Sequence, residues 1–192
     1  LSVVFCLGWT DDLIGNRKVK GLRGHLRAWM RERTISTGLA KAIFTTAVSL
    51  WFIIDTGIWR GTMFGILPVL AMTMSTNALN LFDLRPGRAI KVFLIGCLIT
   101  VTAAYWQAGA WMMLLPVIAG ALVLLPIDLR GDGMLGDTGA NMLGFALGST
   151  IATHWGWAGQ AAAVCVLAAL TIFAERYSLT RTIERLPVLN WL

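Results

Sequence analysis

The chain reads as an all-α, polytopic transmembrane helix bundle of about six full spans plus a truncated N-terminal helix. Three observations predict this. First, its 192 residues are 57% hydrophobic and only 14% charged, with a mean hydropathy of +0.71, whereas a soluble domain carries about 25% charge. Second, the apolar residues fall in runs long enough to cross a hydrocarbon core of ~30 Å, which takes ~20 helical residues. Third, the basic residues gather on alternate connections between those runs.

The elements follow in order. Leu1 to Trp9 is apolar but too short to cross a bilayer, and the chain does not begin with Met. It is therefore expected to be the end of a helix that starts upstream. Spans are predicted near 38–55, 61–80, 89–107, 110–126, 138–153 and 156–174. The fifth is short, and its polar start is expected to dip into the headgroups. Residues 1–192 form one integral-membrane domain, with 176–192 as a cytoplasmic tail. No signal peptide is visible. Nine tryptophans suit a chain that meets two membrane interfaces. Gly144-Phe145-Ala146-Leu147-Gly148 is a small-xxx-small pattern, which reads as close helix packing. Cys6, Cys97 and Cys165 lie in apolar runs without metal-ligand spacing and read as buried thiols.

Charge orients the bundle. If the end of the chain near residue 11 is cytoplasmic and the six spans alternate, fifteen of the sixteen Lys and Arg residues lie inside and only Arg60 lies outside. That is the asymmetry the positive-inside rule expects. The acidic residues sort the same way, with only Asp55 outside. The rule does not sort acids, so the acids point to chemistry on the cytoplasmic face. The net charge of +6 on so apolar a chain points to anionic lipid and an anionic substrate, and away from nucleic acid.

Three polar islands interrupt the apolar sequence: Asp11-Asp12-Leu13-Ile14-Gly15, Asn77-Ala78-Leu79-Asn80-Leu81-Phe82-Asp83 and Leu135-Gly136-Asp137-Thr138-Gly139-Ala140-Asn141. A carboxylate beside a bilayer is costly and is usually functional. Each island also has a plain reading. Asp11 and Asp12 fit a solvated helix end balanced by nearby Lys. Asn77, Asn80 and Asp83 fit helix termination, or one shared helix face if the helix continues. Asp137 fits a helix N-cap, and its flanking glycines would let a phosphate or metal approach the backbone. Three such islands on one face of the membrane favour a divalent-metal site that handles phosphate. His25 and His154 have no partner at metal-ligand spacing, although His25 lies in a basic loop suited to phosphate.

The motifs Gly8-Trp9-Thr10-Asp11-Asp12, Lys20-Gly21-Leu22, Asn77 through Asp83 and Met134 through Asn141, in this order, resemble the polyprenyl-phosphate N-acetylhexosamine-1-phosphate transferases. That superfamily includes the bacterial phospho-N-acetylmuramoyl-pentapeptide translocase. The resemblance covers roughly residues 1–175. It implies attack of a polyprenyl-phosphate oxygen on the β-phosphate of a UDP-N-acetylhexosamine, releasing UMP with Mg²⁺ assistance in envelope glycan synthesis. It further implies Asp11, Asp12 and Asp83 as catalytic residues and Asp137 as the metal ligand. Asn77, Asn80, Lys20, Arg23, His25 and Asp128 become substrate-binding residues. The partners implied are the polyprenyl phosphate lipid, the UDP-sugar and the bacterial plasma membrane, with a homodimer allowed and no nucleic acid. Two departures stand out. The family's Gly-Leu-Asp-Gly continuation is replaced by Leu84-Arg85-Pro86-Gly87-Arg88, and its histidine-rich loop before the final helix is absent. The rivals are a non-catalytic polyprenyl-phosphate binder of the same fold and, behind it, a transporter. Transporters place polar groups near the midplane in broken helices, whereas these acids lie at the ends of apolar runs.

Overall fold

The computed structural model describes residues 4, 8–9, 37–58, 62–105 and 108–185. Among these residues every regular element is helical. In chain order they are α1 (Thr37–Asp55), α2 (Thr62–Phe82), α3 (Arg88–Ala103), α4 (Ala108–Arg130), α5 (Gly136–His154), α6 (Trp157–Arg176) and α7 (Leu179–Arg185). The first six overlie the six predicted runs. Three of them, α2, α4 and α6, carry apolar stretches long enough to cross a membrane.

The largest boundary differences, four residues each, are at the ends of α3, which stops at Ala103 rather than 107, and of α4. The apolar run was read as closing at 126, yet the helix continues through Pro126 to Arg130. Proline normally breaks a helix because it lacks an N–H and crowds the preceding turn. Membrane helices tolerate it where neighbouring groups take up the freed carbonyl. α4 also contains Pro116, and α2 contains Pro68.

The layering inverts the order of hydropathy. α5 carries Asp137, Asn141, Ser149, Thr150 and His154, and it is the most enclosed helix, with every residue from Leu143 to Ile151 buried. α6 is far more apolar, yet Gln160 is its one buried residue. Residues such as Val123 on α4 and Val166 and Ile172 on α6 face outward. Lipid tails are as apolar as leucine, so greasy helices gain little by turning inward, while small and polar residues find partners only in protein.

The central contact is α5 against α2. A Cβ at Gly144 would stand 2.5 Å from the Ser75 carbonyl oxygen and the Thr76 Cα, and one at Gly148 would stand 2.6 Å from the Met72 Cα. The two backbones therefore meet directly, as the small-xxx-small pattern predicted. α1 presents Thr45, Ser49 and Ile53, one turn apart and all buried. The Ser49 hydroxyl donates to the Thr45 carbonyl at 2.8 Å, which satisfies it within its own helix.

Contacts at the two ends of the bundle confirm that the helices alternate. At one end Trp155 Nε1 donates to the Thr100 carbonyl at 3.0 Å, and Gln160 Nε2 donates to the Ala152 and Trp155 carbonyls, both at 2.9 Å. His154 lies at this end, opposite Asp137, and sits 2.6 Å from the Thr153 hydroxyl. The opposite end gathers the start of α1, the end of α2, the start of α3, the end of α4 and the start of α5. One expectation is corrected. Cys97 is buried as read, but Cys165 is exposed on the outward-facing α6, because an apolar run on a peripheral helix points its thiol to lipid. Cys6 lies outside the described residues.

Candidate functional site

The site begins where α5 does. The helix opens at Gly136, whose φ of 67° uses the left-handed conformation glycine tolerates. The N-cap position falls on Leu135, with no side-chain cap. Asp137 therefore lies inside the first turn and is not an N-cap. A carboxylate there is favoured by the partial positive charge of the helix start. Its partners come from other helices. Lys41 Nζ of α1 donates to Asp137 Oδ1 at 2.8 Å, and Asn80 Nδ2 of α2 donates to the same oxygen. The lysine side chain is 14% exposed and that of Asp137 is 37% exposed. The pair is thus sheltered on one side and reachable on the other.

α2 delivers the middle island. Asn80 is half-buried in the last turn of α2. Its Oδ1 is buried and has no hydrogen-bond partner among the described residues. Asp83 follows directly after the helix, and its N–H donates to the carbonyls of Leu79 and Asn80, each at 3.2 Å. Asn77 is exposed, and its Nδ2 reaches the Thr171 hydroxyl of α6 at 3.5 Å. The shared face read from the three-residue spacing therefore divides between neighbours, with Asn80 meeting α5 and Asn77 meeting α6.

The turn after α2 explains what the basic departure from the family pattern does here. Gly87 adopts φ 74°, and a Cβ there would collide with the Leu129 side chain. Its N–H donates to Asp128 Oδ2 at 2.9 Å. Asp128 is only 2% exposed. Through this bond Asp128 clasps the turn to the end of α4. Arg88 is buried and donates to the Thr180 hydroxyl at 3.2 Å, and Arg85 pairs with Glu184 at 3.1 Å. The second pair is solvent-exposed at both ends and contributes little by itself. Together these contacts, with buried Leu179 and Ile183, dock α7 onto the turn. The described part of the expected tail is thus a packed helix.

The remaining sequence-derived residues divide simply. Gly8 packs its backbone against the first turn of α5: a Cβ there would collide with the Thr138 Cα and lie 3.0 Å from the Asp137 carbonyl oxygen. Asp11, Asp12, Lys20, Arg23 and His25 lie outside the described residues. Asn80 and Asp137 are brought into contact, with Asp83 one turn beyond Asn80. Lys41 was missed as a site residue. The signal for it was present, since an ionisable side chain within an apolar helical run is a functional candidate by default.

Two cavities are lined by neighbours of Asp137. One of about 290 Å³ lies between α1, α2 and α6 and is lined by Lys41, Thr45, Thr73, Asn77, Asn80 and Thr171. Another of about 300 Å³ lies between the end of α4 and the start of α5 and is lined in part by Asp128, Leu135, Thr138 and Gly139. A larger cavity, about 700 Å³, lies at the opposite end beside His154 and Trp155, remote from Asp137.

The donor set decides whether a divalent cation fits. Among the described residues no three His, Cys, Asp or Glu side chains converge on one point, so these residues alone make no closed metal cage. Mg²⁺ does not require one. It keeps several waters and is held by one or two carboxylates together with substrate phosphates. Asp137 already attracts a cationic nitrogen, and the orphaned Asn80 Oδ1 is a second oxygen beside it. The residues fit a cation bound in that open manner.

Comparison with known proteins adds one distant likeness. No family model matches the chain, and no solved structure matches it. The chain is 28% identical over 153 residues to the phospho-N-acetylmuramoyl-pentapeptide-transferase of Thermotoga neapolitana. The aligned region is 75% of this chain and 48% of that protein. The chain therefore spans about half the length of the curated relative it matches and is a distant relative of a transferase.

Proposed function

We propose that the protein transfers an N-acetylhexosamine-1-phosphate from a UDP-sugar to polyprenyl phosphate and releases UMP. The observation that carries this reading is the meeting of Asp137, Asn80 and Lys41 at one bundle end, where Gly8 abuts the same turn and Asp11 and Asp12 follow Gly8 in sequence. The resemblance of all three islands to the transferase family, and the 28% identity to one such transferase, support it. In the reaction a phosphate oxygen of the lipid bonds to the β-phosphorus of the donor. The bond from that phosphorus to the bridging oxygen breaks, and UMP departs with the electron pair. Bound Mg²⁺ would neutralise charge on the diphosphate. Asp137 and Asn80 are the residues that would hold it. Lys41 brings a positive charge to the end of the bundle where two anions must approach. The lipid phosphate is already largely ionised at neutral pH, so Asp11, Asp12 and Asp83 are assigned to orienting substrates rather than to deprotonating it.

The active end is proposed to face the cytoplasm of a bacterial cell. In a background without the native cysteines, Asp132→Cys in the α4–α5 connection is expected to resist an impermeant maleimide added to intact cells. Tyr105→Cys, at the other end and 88% exposed, should label at once. Labelling of Asp132→Cys from outside would reverse the orientation.

The direct test is UMP release by the protein expressed from its full reading frame, in nanodiscs containing undecaprenyl phosphate. Release is expected with at least one UDP-N-acetylhexosamine, and only when Mg²⁺ is present. One observation favours a second reading. The turn in which the family carries another acid is here Arg85-Pro86-Gly87-Arg88, and it is committed to docking α7. If no donor yields UMP, the transferase reading fails and the reading as a non-catalytic polyprenyl-phosphate binder takes its place.

A further inference from the structure

We infer that Lys41 is an exchangeable counter-ion, occupying the cation position at Asp137 and leaving it when a divalent metal enters. The inference rests on the reading of Asp137 as a metal ligand and goes beyond it, to what sets the metal's affinity. Lys41 is the one basic residue of α1, in its second turn. Its Nζ stands 2.8 Å from Asp137 Oδ1 with the side chain largely buried. That oxygen also accepts from Asn80, so the carboxylate is held in place by two helices before any metal arrives. A divalent cation binds carboxylate oxygen at about 2.0–2.1 Å for Mg²⁺. An ammonium on the same oxygen would face it across a gap of a few Å in a sheltered setting, where like charges repel strongly. The two cations cannot share the oxygen comfortably, so metal entry requires the lysine to move.

The structure offers a destination. The Lys41 stem lines the cavity of about 290 Å³ between α1, α2 and α6. In that cavity wall the Thr73 hydroxyl is buried and has no hydrogen-bond partner among the described residues. Lysine suits this role because its flexible four-carbon stem carries a compact charge that can re-aim, which a planar guanidinium does less readily. The arrangement keeps Asp137 ordered and charge-balanced without metal, at the expense of metal affinity.

Mn²⁺ alone, titrated by electron paramagnetic resonance into the nanodisc-embedded protein without substrate, tests the exchange. Lys41→Met and Lys41→Gln should each bind Mn²⁺ at least tenfold more tightly than the wild type. Met keeps the apolar stem, and Gln keeps a hydrogen-bond donor without the charge, so one folded variant of the two suffices. Affinity unchanged within twofold, or weakened, in the folded variants overturns the proposal. Asp137→Asn separates the two levels of the argument. If it abolishes Mn²⁺ binding while the Lys41 variants bind like wild type, the exchange alone is wrong. If it leaves binding intact, Asp137 is not the ligand and the exchange falls with it.

Discussion

Asp137→Asn is expected to lower Mg²⁺-dependent UMP release by roughly 100-fold or more, which corresponds to about 2.7 kcal/mol or more of lost transition-state stabilisation. Asparagine is nearly isosteric and can still accept a hydrogen bond from Lys41 or Asn80. What it removes is the negative charge that attracts a divalent cation. Loss of a residue that merely supports a ligand typically costs 10–100-fold in metal affinity or activity, so loss of the ligand itself should exceed that range. Folding should change little. The carboxylate is 37% exposed, so solvent screens part of the pair, and the Asn carbonyl oxygen can still accept from the Lys41 ammonium. The melting temperature of the variant in detergent should therefore stay near the wild-type value while turnover collapses. Asp55→Asn, exposed at the far end of α1, is the matched control and should be silent in both measurements. Near-normal turnover in Asp137→Asn would remove Asp137 from the metal site.

Gly148→Ala and Gly144→Ala should each destabilise the bundle by about 1–3 kcal/mol or more, though each adds a single methyl group. Alanine in place of glycine inside a helix normally stabilises it by up to about 1 kcal/mol. Here the sign reverses because the new Cβ meets backbone, which cannot rotate away. At Gly144 it stands 2.5 Å from the Ser75 carbonyl oxygen, and at Gly148 it stands 2.6 Å from the Met72 Cα. α2 and α5 must separate, and with them Asn80 and Asp137. Activity should fall together with thermal stability, measured as the midpoint for loss of the monodisperse peak in detergent. Gly120→Ala on α4 has nothing within 4 Å of the added Cβ and should be neutral or slightly stabilising. Equal behaviour of Gly120→Ala and Gly148→Ala would show that the α2–α5 contact is not close.

The location of the helices was legible in the sequence because a span needs an uninterrupted apolar run of a set length, and such runs are visible without any knowledge of neighbours. The end of α4 escaped this reading because the apolar run gives way to Asp128 and Arg130 while the helix itself continues through Pro126 to Arg130. The shared end of Asn80, Asp83 and Asp137 was legible from the distribution of charge, since alternating spans place every second connection on one face. The partners of those residues were not. Asp128 looked like a group for a substrate, and nothing in the sequence signals that it is also a buried acceptor for the Gly87 N–H. Asn77 and Asn80 looked like one face and meet different helices. Lys41 looked like one more positive charge at a cytoplasmic helix start and is the ion-pair partner of Asp137, 96 positions away.

Composition and span length by themselves predicted an apolar, helical chain with all of its acids except Asp55 on one side, because hydropathy, span length and charge asymmetry are local properties summed along the sequence. Which helix is central was decided by tertiary structure alone. α5 is among the less apolar helices and is buried, while the greasier α4 and α6 lie outside. In a bilayer apolar side chains are equally at home facing lipid, so hydropathy does not rank helices by depth. Close backbone approach at Gly144 and Gly148, and partners for Asp137 on α1 and α2, give α5 its place, and those depend on pairings between residues far apart in the chain.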